Sequence, residues 1–390
     1  MKKVLVPRVR FKGFDKEWKE DTIGNIANIT NGKLDANSMV KSGMYNFYTS
    51  GIDVYKIDKY SFEGEGISIA GNGVNMGYMH LLSGKYNAYQ RTYILNNIKI
   101  DRHFLFYNLW KNFWEFCQKN TREGSIPYLL YNDISDFKIF KSHSNEQQKI
   151  GKLLDQISNL ITHEEIKLNK LKQLKETLLQ KMFPEGNSKI PRIRFKGFDE
   201  EWKEEGLENI YSFASEGGTP DTNKDIYYKP GLFYFTKIED MANKYIYHTK
   251  AKISELGLKN SSAWIIPKNN ILFSNGATIG NVSINKVDLS TKQGIVGMII
   301  KKKFNLEFIY YLLKSENFQS KVAEKITVGT IPTVAIFNLK KIELFLTTKS
   351  IEQQKIGDFF CKIDTLLDLY NSKLNKLKQI KEALLQKMFV

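Results

Sequence analysis

The stretch that decides the fold is EQQKIGKLLDQISNLITHEEIKLNKLKQLKETLLQKMF, residues 146–183, because it occurs again 206 positions later. The second copy, residues 352–389, reads EQQKIGDFFCKIDTLLDLYNSKLNKLKQIKEALLQKMF. In both copies apolar residues recur in steps of three and four, which is typical of a helix with one apolar face. We therefore expect two long helices of one design, each about 55 Å long at about 1.5 Å per residue.

A second repeated block shows that the duplication extends to the whole chain. PRVRFKGFDKEWKE, residues 7–20, returns as PRIRFKGFDEEWKE at residues 191–204 with two substitutions. Each half thus has a shared opening, a divergent middle (here called head 1 and head 2) and a shared closing helix. This pattern predicts a first opening segment (1–20), head 1 (21–143) and a first long helix (144–183). These are followed by a linker with the second opening segment (184–204), head 2 (205–349) and a second long helix (350–390).

The apolar stripe of each long helix needs a partner. Since the same stripe occurs twice, the economical arrangement is an antiparallel coiled coil of the two helices, with an internal pseudo-twofold axis and one head at either end. The alternative is that each helix packs on its own head. Ser144-x-x-Gln147 and Ser350-x-x-Gln353 both match the capping-box pattern at a helix start.

Both heads show a mixed pattern of strands and helices. GISIAG, TYILNN, NNILFS and GIVGMIIKKK are apolar or β-branched runs between turn residues, so they predict strands. HFLFYNLWKNFWEFCQK and EFIYYLLKSENFQSKVAEK have apolar residues at helical spacing and predict helices with a core-facing side. The expected fold class is α+β, with two α/β-type globules joined by the two long helices.

The charge balance indicates a polyanionic partner. The chain has 58 Lys and Arg against 42 Asp and Glu, a net charge of +16, which favours nucleic acid over an ordinary soluble target or a membrane surface. Apolar runs are too short to span a bilayer, and the basic N-terminal residues lack the apolar core of a signal peptide. Cys117 and Cys361 have no metal-ligand spacing and predict free thiols. We expect a cytoplasmic protein.

Motifs for catalysis are missing from the sequence. No stretch fits a nucleotide-binding P-loop, and GNGVNMG at 71–77 is GxGxxxG, which we interpret as a tight loop that brings backbone close to its target. The chain has no Pro-Pro, which amino-methyltransferases carry in their Asn/Asp-Pro-Pro-aromatic motif. The five histidines form no cluster that would hold a metal. The chain is therefore predicted to have no catalytic residues, no metal and no cofactor of its own.

Four short motifs and one glutamine match between the heads. NGKLDAN, YTS, GVNMG, Gln90 and GSIP in head 1 correspond to GGTPDTN, FTK, GATIG, Gln293 and GTIP in head 2. Arg suits guanine, Asn and Gln suit adenine, and Lys, Ser and Thr add further contacts. The candidate DNA-binding residues are Lys33, Ser50, Asn72, Asn75, Gln90, Arg91, Arg122 and Ser125 in head 1, and Thr219, Lys224, Lys237, Asn275, Thr278, Lys292, Gln293 and Thr330 in head 2.

This organisation resembles the specificity (S) subunit of type I restriction-modification enzymes. The resemblance is carried by EQQKIG opening a long Lys/Leu helix twice, by RFKGF…EW opening each half, by GATIG with Gln293 thirteen residues later, and by GTIP ahead of the second EQQKIG. It covers nearly the whole chain. The residues after GSIP and GTIP differ widely, so contacts there transfer poorly.

The resemblance implies a division of labour. Each head would be a target-recognition domain that reads one half of a split double-stranded DNA sequence, and the helices would set the gap. Two modification subunits would bind the frame and methylate adenine with S-adenosylmethionine. Restriction subunits would add translocation and cleavage driven by ATP with Mg. The candidate docking residues for the modification subunits are Phe11, Trp18, Phe195 and Trp202.

Several alternatives stay open on the sequence. The four docking aromatics also suit plain packing against the helix pair. The lysines of the long helices solvate an outer face or contact phosphates in the gap between the heads. The whole chain could instead be a DNA nuclease or other DNA enzyme with an unrecognised active site, or a coiled-coil scaffold that binds proteins only.

Overall fold

The structure is a computed structural model that describes residues 5–119, 126–327, 329 and 332–390. The chain divides into two compact units, of which unit 1 contains Met1–Ile166 with Asn371–Val390 and unit 2 contains Lys167–Tyr370. Each unit includes one head and a part of both long helices. No helix among the described residues is long and apolar enough to cross a membrane.

Head 1 is built mainly from short strands. Its strands are β1 (Lys19–Thr22), β2 (Asn28–Asn31), β3 (Tyr45–Tyr48), β4 (Val54–Ile57), β5 (Phe62–Glu63), β6 (Gly66–Ala70), β7 (Met79–Leu82), β8 (Lys85–Ala88), β9 (Thr92–Asn96) and β10 (Lys138–Lys141). Its helices are α1 (Ile23–Ile26), α2 (Arg102–Lys119) and α3 (Tyr131–Ser135), with a 3₁₀ turn at Ala36–Ser38. The first long helix, α4 (Ser144–Lys181), follows.

The strands of head 1 form two four-stranded sheets and a two-stranded ribbon. The sheet orders are β2-β9-β6-β7 and β4-β3-β8-β5, and β1 pairs with β10. The predicted strands GISIAG and TYILNN are β6 and β9, which pair antiparallel with Ile67 opposite Leu95. Both residues are fully buried. They belong to the apolar core that also contains Leu105 and Phe113 of α2.

Head 2 repeats this scheme with a larger sheet. Its strands are β11 (Lys203–Gly206), β12 (Tyr211–Glu216), β13 (Phe233–Thr236), β14 (Tyr245–Ile246), β15 (Lys252–Ile253), β16 (Ile271–Ser274), β17 (Val282–Asn285), β18 (Leu289–Thr291), β19 (Ile295–Ile300) and β20 (Glu343–Leu346). Its helices are α5 (Glu255–Lys259), α6 (Leu306–Lys314), α7 (Glu316–Ala323) and α8 (Ile336–Lys340), and the second long helix is α9 (Ser350–Met388). 3₁₀ turns lie at Leu207–Asn209, Asp225–Tyr227 and Ile238–Ala242.

The sheet orders of head 2 are β12-β19-β16-β17-β14 and β15-β13-β18, and β11 pairs with β20. The predicted strands NNILFS and GIVGMIIKKK are β16 and β19. The helix predicted over 307–325 is wrong in one respect, since it is broken into α6 and α7 at Ser315. Ser315 has extended backbone (φ −65°, ψ 150°), and its hydroxyl donates to the Leu312 carbonyl and accepts from the Phe318 N–H. A serine that caps one helix and starts the next produces such a break.

The repeated EQQKIG motif joins each long helix to its own opening segment. Glu146 is fully buried and accepts two hydrogen bonds from the Arg10 guanidinium, at 2.6 and 2.9 Å. Glu352 and Arg194 form the same bidentate pair at 2.6 and 3.0 Å. The hydrogen bond to Glu146 raises the pKa of Arg10, so the guanidinium stays charged. Buried pairs of this kind are costly to break from one side.

The glutamine of the same motif does not form the predicted capping box. The Gln147 side chain donates to the Ser142 carbonyl at 2.6 Å and accepts from the Asp101 N–H at 3.1 Å. Gln353 makes the corresponding two bonds at 2.7 and 2.8 Å. The capping-box prediction is therefore wrong, because the glutamine ties the long helix to the residue before the head's own helix.

Steric constraints explain why EQQKIG ends in glycine. A Cβ at Gly151 would lie 2.4 Å from the Asp101 carboxylate and 2.9 Å from the Phe104 N–H. Gly357 faces the start of α6 in the same way, with Asn305 Oδ1 at 2.8 Å. The motif is thus a structural joint in both units.

The two tryptophans of the opening segments lie inside the cores. Trp18 is 2% exposed, and its ring lies edge-on to Phe104 and Phe389, with centroid distances of 5.4 and 6.1 Å. Trp202 is 1% exposed and packs against Phe183 at 6.0 Å. The prediction that Trp18 and Trp202 belong to a docking surface is therefore wrong, since packing leaves no accessible ring.

Phe11 and Phe195 keep part of their surface. Phe11 packs at the margin of the core of unit 1, and Phe195 lies edge-on to Phe359 at 5.8 Å in unit 2. These two phenylalanines remain candidates for docking.

The end of each long helix lies in the unit that contains the other repeat's head. In unit 1, Leu385 and Met388 of α9 share a buried cluster with Ile150 and Leu154 of α4. In unit 2, Phe183 lies beside Phe360 of α9 at a centroid distance of 6.1 Å. Within each unit, the beginning of one long helix therefore meets the end of the other.

Glu164 is the polar residue that interrupts the apolar stripe of α4. It is 1% exposed, and its carboxylate lies 2.9 Å from the Lys373 ammonium of α9 within unit 1. The lysine compensates the buried charge, which explains how an acid is accepted in the stripe.

Candidate nucleic-acid interface

The matched motifs of head 1 meet at one edge of its sheets. The Gly32 N–H donates to the Thr92 carbonyl at 3.0 Å, and a Cβ at Gly32 would lie 2.2 Å from the Ala88 carbonyl. The Gln90 N–H donates to the Leu34 carbonyl at 2.8 Å. These bonds hold the NGKLDAN motif, which contains Lys33, against the segment of Gln90.

The glycine-rich loop of head 1 joins the same edge. The Gly71 N–H donates to the Arg91 carbonyl at 2.8 Å, and the Gly71 carbonyl accepts from the Leu129 N–H at 2.8 Å. The Ser50 hydroxyl donates to Asn72 Oδ1 at 2.6 Å. Four separate segments of the chain are therefore fixed to one another at this point.

The predicted residues of head 1 differ in exposure. Lys33, Gln90 and Arg91 are exposed, whereas the side chains at 50, 72 and 75 are half-buried. A polar depression of about 290 Å³ is lined by Asn31, Gly71, Gln90, Arg91, Tyr93 and Leu129. Its open amide and guanidinium groups are of the type that pairs with base edges.

The matched motifs of head 2 meet in the same manner. The Gly217 N–H donates to the Ile295 carbonyl at 2.9 Å, and a Cβ at Gly217 would lie 2.0 Å from the Thr291 carbonyl. The Lys292 N–H donates to the Thr236 carbonyl at 3.0 Å, which brings Lys237 to the same edge.

The side chains of head 2 at this edge are mostly open. The Thr219 hydroxyl accepts from the Gln293 N–H at 3.4 Å, and both residues are exposed. Thr278 is exposed at the tip of the glycine-rich loop. Lys224 is exposed just before the 3₁₀ turn at Asp225–Tyr227, with its ammonium 5.4 Å from the Tyr227 ring centroid.

Asn275 is a correction to the predicted set. It is 4% exposed, and its side-chain amide donates to the Val334 carbonyl at 3.1 Å. Its backbone also bonds to Gly294 and Val334. Asn275 therefore anchors the loop from inside and does not present its side chain to a ligand. Arg122, Ser125 and Thr330 lie outside the described residues.

The structure shifts two of the predicted correspondences by one residue. Gly32 is equivalent to Gly217, since both bond to matching positions of the central strand, whereas the aligned motifs pair it with Gly218. Tyr48 is equivalent to Thr236, since both lie opposite matching residues of the neighbouring strand. Lys237 thus corresponds to Thr49. Strand pairing determines such a register, and short motifs do not reveal it.

One polar residue at the edge of head 1 is missing from the predicted set. Asn31 is exposed, and its amide lies 3.4 Å from the Gln90 carbonyl. It opens the NGKLDAN motif, so the motif itself was the available signal. In head 2, Glu216 accepts from the Gly294 N–H at 2.6 Å and holds the loop of Gln293 in place.

No group of His, Cys, Asp and Glu side chains in the described part of the chain is arranged to hold a metal ion. Burial lowers the pKa of His80, which favours its neutral ring beside the Gly51 carbonyl. The edge of each head presents amides, hydroxyls and cations.

The chain matches, at residues 15–173 and again at 199–379, the sequence model of the family described as the type I restriction modification DNA specificity domain. Because the two matches cover most of the chain, it belongs to this family. The two matched regions coincide with the two halves of the internal repeat.

Individual relatives agree with this assignment. The chain is 32% identical over 158 residues to the specificity subunit of the Escherichia coli type I restriction enzyme EcoDI, covering 40% of this chain and 35% of that protein. It is 30% identical over 193 residues to the specificity subunit of the Methanocaldococcus jannaschii enzyme MjaIX, covering 49% and 44%. The alignments thus span less than half of these curated relatives.

The fold has a known counterpart. The crystal structure of a type I restriction-modification S subunit from Mycoplasma genitalium superposes with a TM-score of 0.68 and 18% identity, covering 99% of both chains. The two proteins therefore share a fold that consists of repeated α+β domains and long helices.

Proposed function

We propose that this chain is the non-catalytic DNA-specificity subunit of a type I restriction-modification complex, in which each head reads one half of a bipartite double-stranded target. The observation that carries the proposal is the pair of loop edges. They are held by matching backbone bonds in both heads but present different side chains. A split target requires two recognition domains that share a backbone framework but differ in the side chains that contact the bases.

Recognition would combine two kinds of contact. Exposed Lys33, Lys224 and Lys237 and half-buried Lys292 neutralise phosphates and position each head without reading sequence. Gln90, Arg91 and Gln293 contact base edges in the major groove. The net charge of +16 supplies the attraction that precedes both.

The long helices would serve as the spacer. In the proposed arrangement α4 and α9 pack as an antiparallel coiled coil with a pseudo-twofold axis, which fixes the number of unread base pairs. The matching Arg10–Glu146 and Arg194–Glu352 pairs support it, as does the meeting of one helix start with the other helix end within each unit.

Partner proteins would supply the chemistry. Two modification subunits would dock on the frame near Phe11 and Phe195 and methylate adenine with S-adenosylmethionine. Restriction subunits would use ATP and Mg for translocation and cleavage. The chain itself would carry no cofactor and would act in the cytoplasm, where the complex defends the cell against phage.

A methylation map tests the proposal. The chain would be expressed with its modification subunit in a host that lacks adenine methylation, and modified adenines would be mapped by single-molecule sequencing. We expect a split motif with a fixed gap, and exchange of residues 205–349 for another head should change only one half. If the bound and active partner produces no new motif, the proposal is wrong.

The alternative function, a DNA nuclease, predicts a different result. A cleavage assay on the isolated chain, with and without divalent metal, would then show strand breaks. We expect uncut DNA under both conditions.

A further inference from the structure

The most exposed apolar side chain of head 1 lies at the tip of its glycine-rich loop. Val74 is 90% exposed, between Gly73 and Asn75. A single exposed apolar residue is ordinary on a protein surface. This one lies within the edge that we assign to base reading, one residue from Asn75 and two from Asn72.

The loop holds Val74 in a fixed position. The Gly73 N–H donates to the Pro127 carbonyl at 2.9 Å, and the Met76 N–H donates back to the Gly73 carbonyl at 3.0 Å. The Gly77 N–H donates to the Ala70 carbonyl at 2.8 Å. Gly73 has φ +82°, a conformation that glycine adopts without strain. The valine is therefore presented on a preformed turn and loses little backbone entropy on binding.

Val74 is part of a small apolar surface beside the loop. A depression of about 470 Å³ is lined by Ile52, Val74, Asn75, Gly77, Tyr78, Met79, Trp110 and Trp114. Ile52 is 55% exposed and lies two residues after Ser50, whose hydroxyl is bonded to Asn72. None of the residues that line this depression is acidic, which suits a polyanionic ligand. Its polar neighbours are the amides of the reading edge.

Base edges in the major groove have one apolar feature, the C5-methyl group of thymine. We propose that Val74 reads this methyl group, so that the half-site of head 1 contains a thymine recognised by apolar contact. This inference rests on the proposed function. It adds an apolar contact to the hydrogen bonds that the amide and guanidinium groups are proposed to make. In head 2 the matching residue of GATIG is Ala277, whose side chain is smaller than that of Val74, so we propose this reading for head 1.

The test removes the methyl group from the DNA and the side chain from the protein. The motif is taken from the methylation map, and the half that survives exchange of residues 205–349 belongs to head 1. Each thymine of that half is replaced in turn by uracil, which pairs identically but lacks the methyl group. Binding of these duplexes is measured for the complex with wild-type chain and with Val74→Ala.

We expect one uracil substitution to weaken wild-type binding about fourfold, the effect of exposing one methyl group. Val74→Ala should bind the thymine duplex about fourfold more weakly and should show no further loss with uracil. Met44→Ala is the matched control, because Met44 is 76% exposed at the other end of β3. It should respond to uracil as the wild type does.

Three results would overturn the inference. They are a head 1 half-site without thymine, a wild-type complex indifferent to every uracil, and an equal uracil effect in wild type and Val74→Ala. If Val74→Ala instead prevents assembly with the modification subunit, the valine belongs to a protein interface. If no split motif appears at all, the proposed function fails and this inference fails with it. The methylation map alone distinguishes that case.

Discussion

Head 1 and head 2 are attached to the long helices by the same type of aromatic core but by different polar contacts. In unit 1, the Tyr107 hydroxyl of α2 donates to the Ser158 hydroxyl of α4 at 2.8 Å. In unit 2, Tyr311 of α6 occupies the matching position, and its hydroxyl donates to the Asp364 carboxylate of α9 at 2.5 Å. A neutral contact in one repeat is thus replaced by a charged contact in the other.

The contact in unit 2 belongs to a larger cluster. The Lys244 ammonium lies 2.7 Å from the Glu307 carboxylate and 2.7 Å from the Tyr311 hydroxyl. It also lies 3.6 Å from the Asp364 carboxylate and is 12% exposed. Burial raises the pKa of Tyr311, which keeps its hydroxyl protonated as a donor. In unit 1, the residue that corresponds to Glu307 is His103.

The difference shows which contacts belong to the frame and which belong to a particular head. The Arg–Glu pair, the glutamine bonds and the buried tryptophan recur in both units with nearly equal distances. The polar contacts between head helix and long helix do not recur. A head exchanged at residue 349 therefore carries Lys244 and Glu307 with it but leaves Asp364 behind.

The largest effect is expected from the frame. Arg10→Met leaves the Glu146 carboxylate buried without its partner, which should lower the free energy of unfolding by about 3–5 kcal/mol. Arg194→Met should do the same in unit 2. Arg192→Met is the control, because its contact with Glu185 is largely exposed and contributes little.

Thermal or denaturant unfolding measures this effect. Arg10→Met combined with Glu146→Met should recover much of the loss, because no unpaired charge then remains. A loss of under about 1 kcal/mol in the single variant would show that the pair is not a frame contact.

The cluster of head 2 should give the next largest effect. Lys244→Met removes the cation from Glu307, whereas Asp364 keeps its ion pair with Lys175, so the substitution should cost about 2–3 kcal/mol, less than the fully buried pair. Hydrogen exchange should increase in unit 2 and stay unchanged in unit 1. Lys259→Met removes an exposed pair with Glu255 and should have no measurable effect. Equal changes in both units would contradict a contact that belongs to one head.

The reading edges should respond separately. Gln90→Ala should weaken discrimination in the head 1 half-site by about 1–2 kcal/mol and leave the other half unchanged, since one base contact is lost. Gln293→Ala should show the mirrored pattern. The methylation map of each variant measures both halves at once. Loss in both halves from one substitution would contradict two independent readers.

The smallest effect concerns acid stability of head 1. Hydrogen bonds from Lys141 and Asn25 lower the pKa of Asp21 from 3.8 to about 2. A lowered pKa stabilises the fold above pH 4, and this contribution disappears as the pH falls towards 2. Lys141→Met should therefore cost about 1 kcal/mol or less at pH 5 and only a small part of that at pH 2. Unfolding at both pH values checks the sign, and an equal cost at both would contradict it.

Much of the frame, the opening segments and the long helices, was predictable because its sequence is repeated within the chain. Two copies of one helix and one opening segment identified the joints, although the burial of Trp18 and Trp202 needed the structure. The central strands β6, β9, β16 and β19 were predictable from their apolar runs. The break at Ser315 was not, since the apolar spacing continues across it and only the serine's own hydrogen bonds end α6.

The loop edges were predictable in place but not in detail. Shared motifs located them, yet the one-residue shift at Tyr48 and Thr236 depends on parallel pairing with strands distant in sequence. Asn275 looked like Asn72, but its neighbour Val334 buries it. Val74 was overlooked, because a search for polar readers passes over an apolar side chain whose exposure only the fold reveals.

The position of the helix ends has a consequence for the order of folding. Unit 2 is one continuous stretch, Lys167–Tyr370, whereas unit 1 also needs Asn371–Val390. Trp18 completes its aromatic cluster with Phe389, which is synthesised 371 residues later. Contacts so distant along the chain form slowly. The head that leaves the ribosome first is therefore the last to obtain its finished core, and it exposes apolar surface in the nascent chain until then.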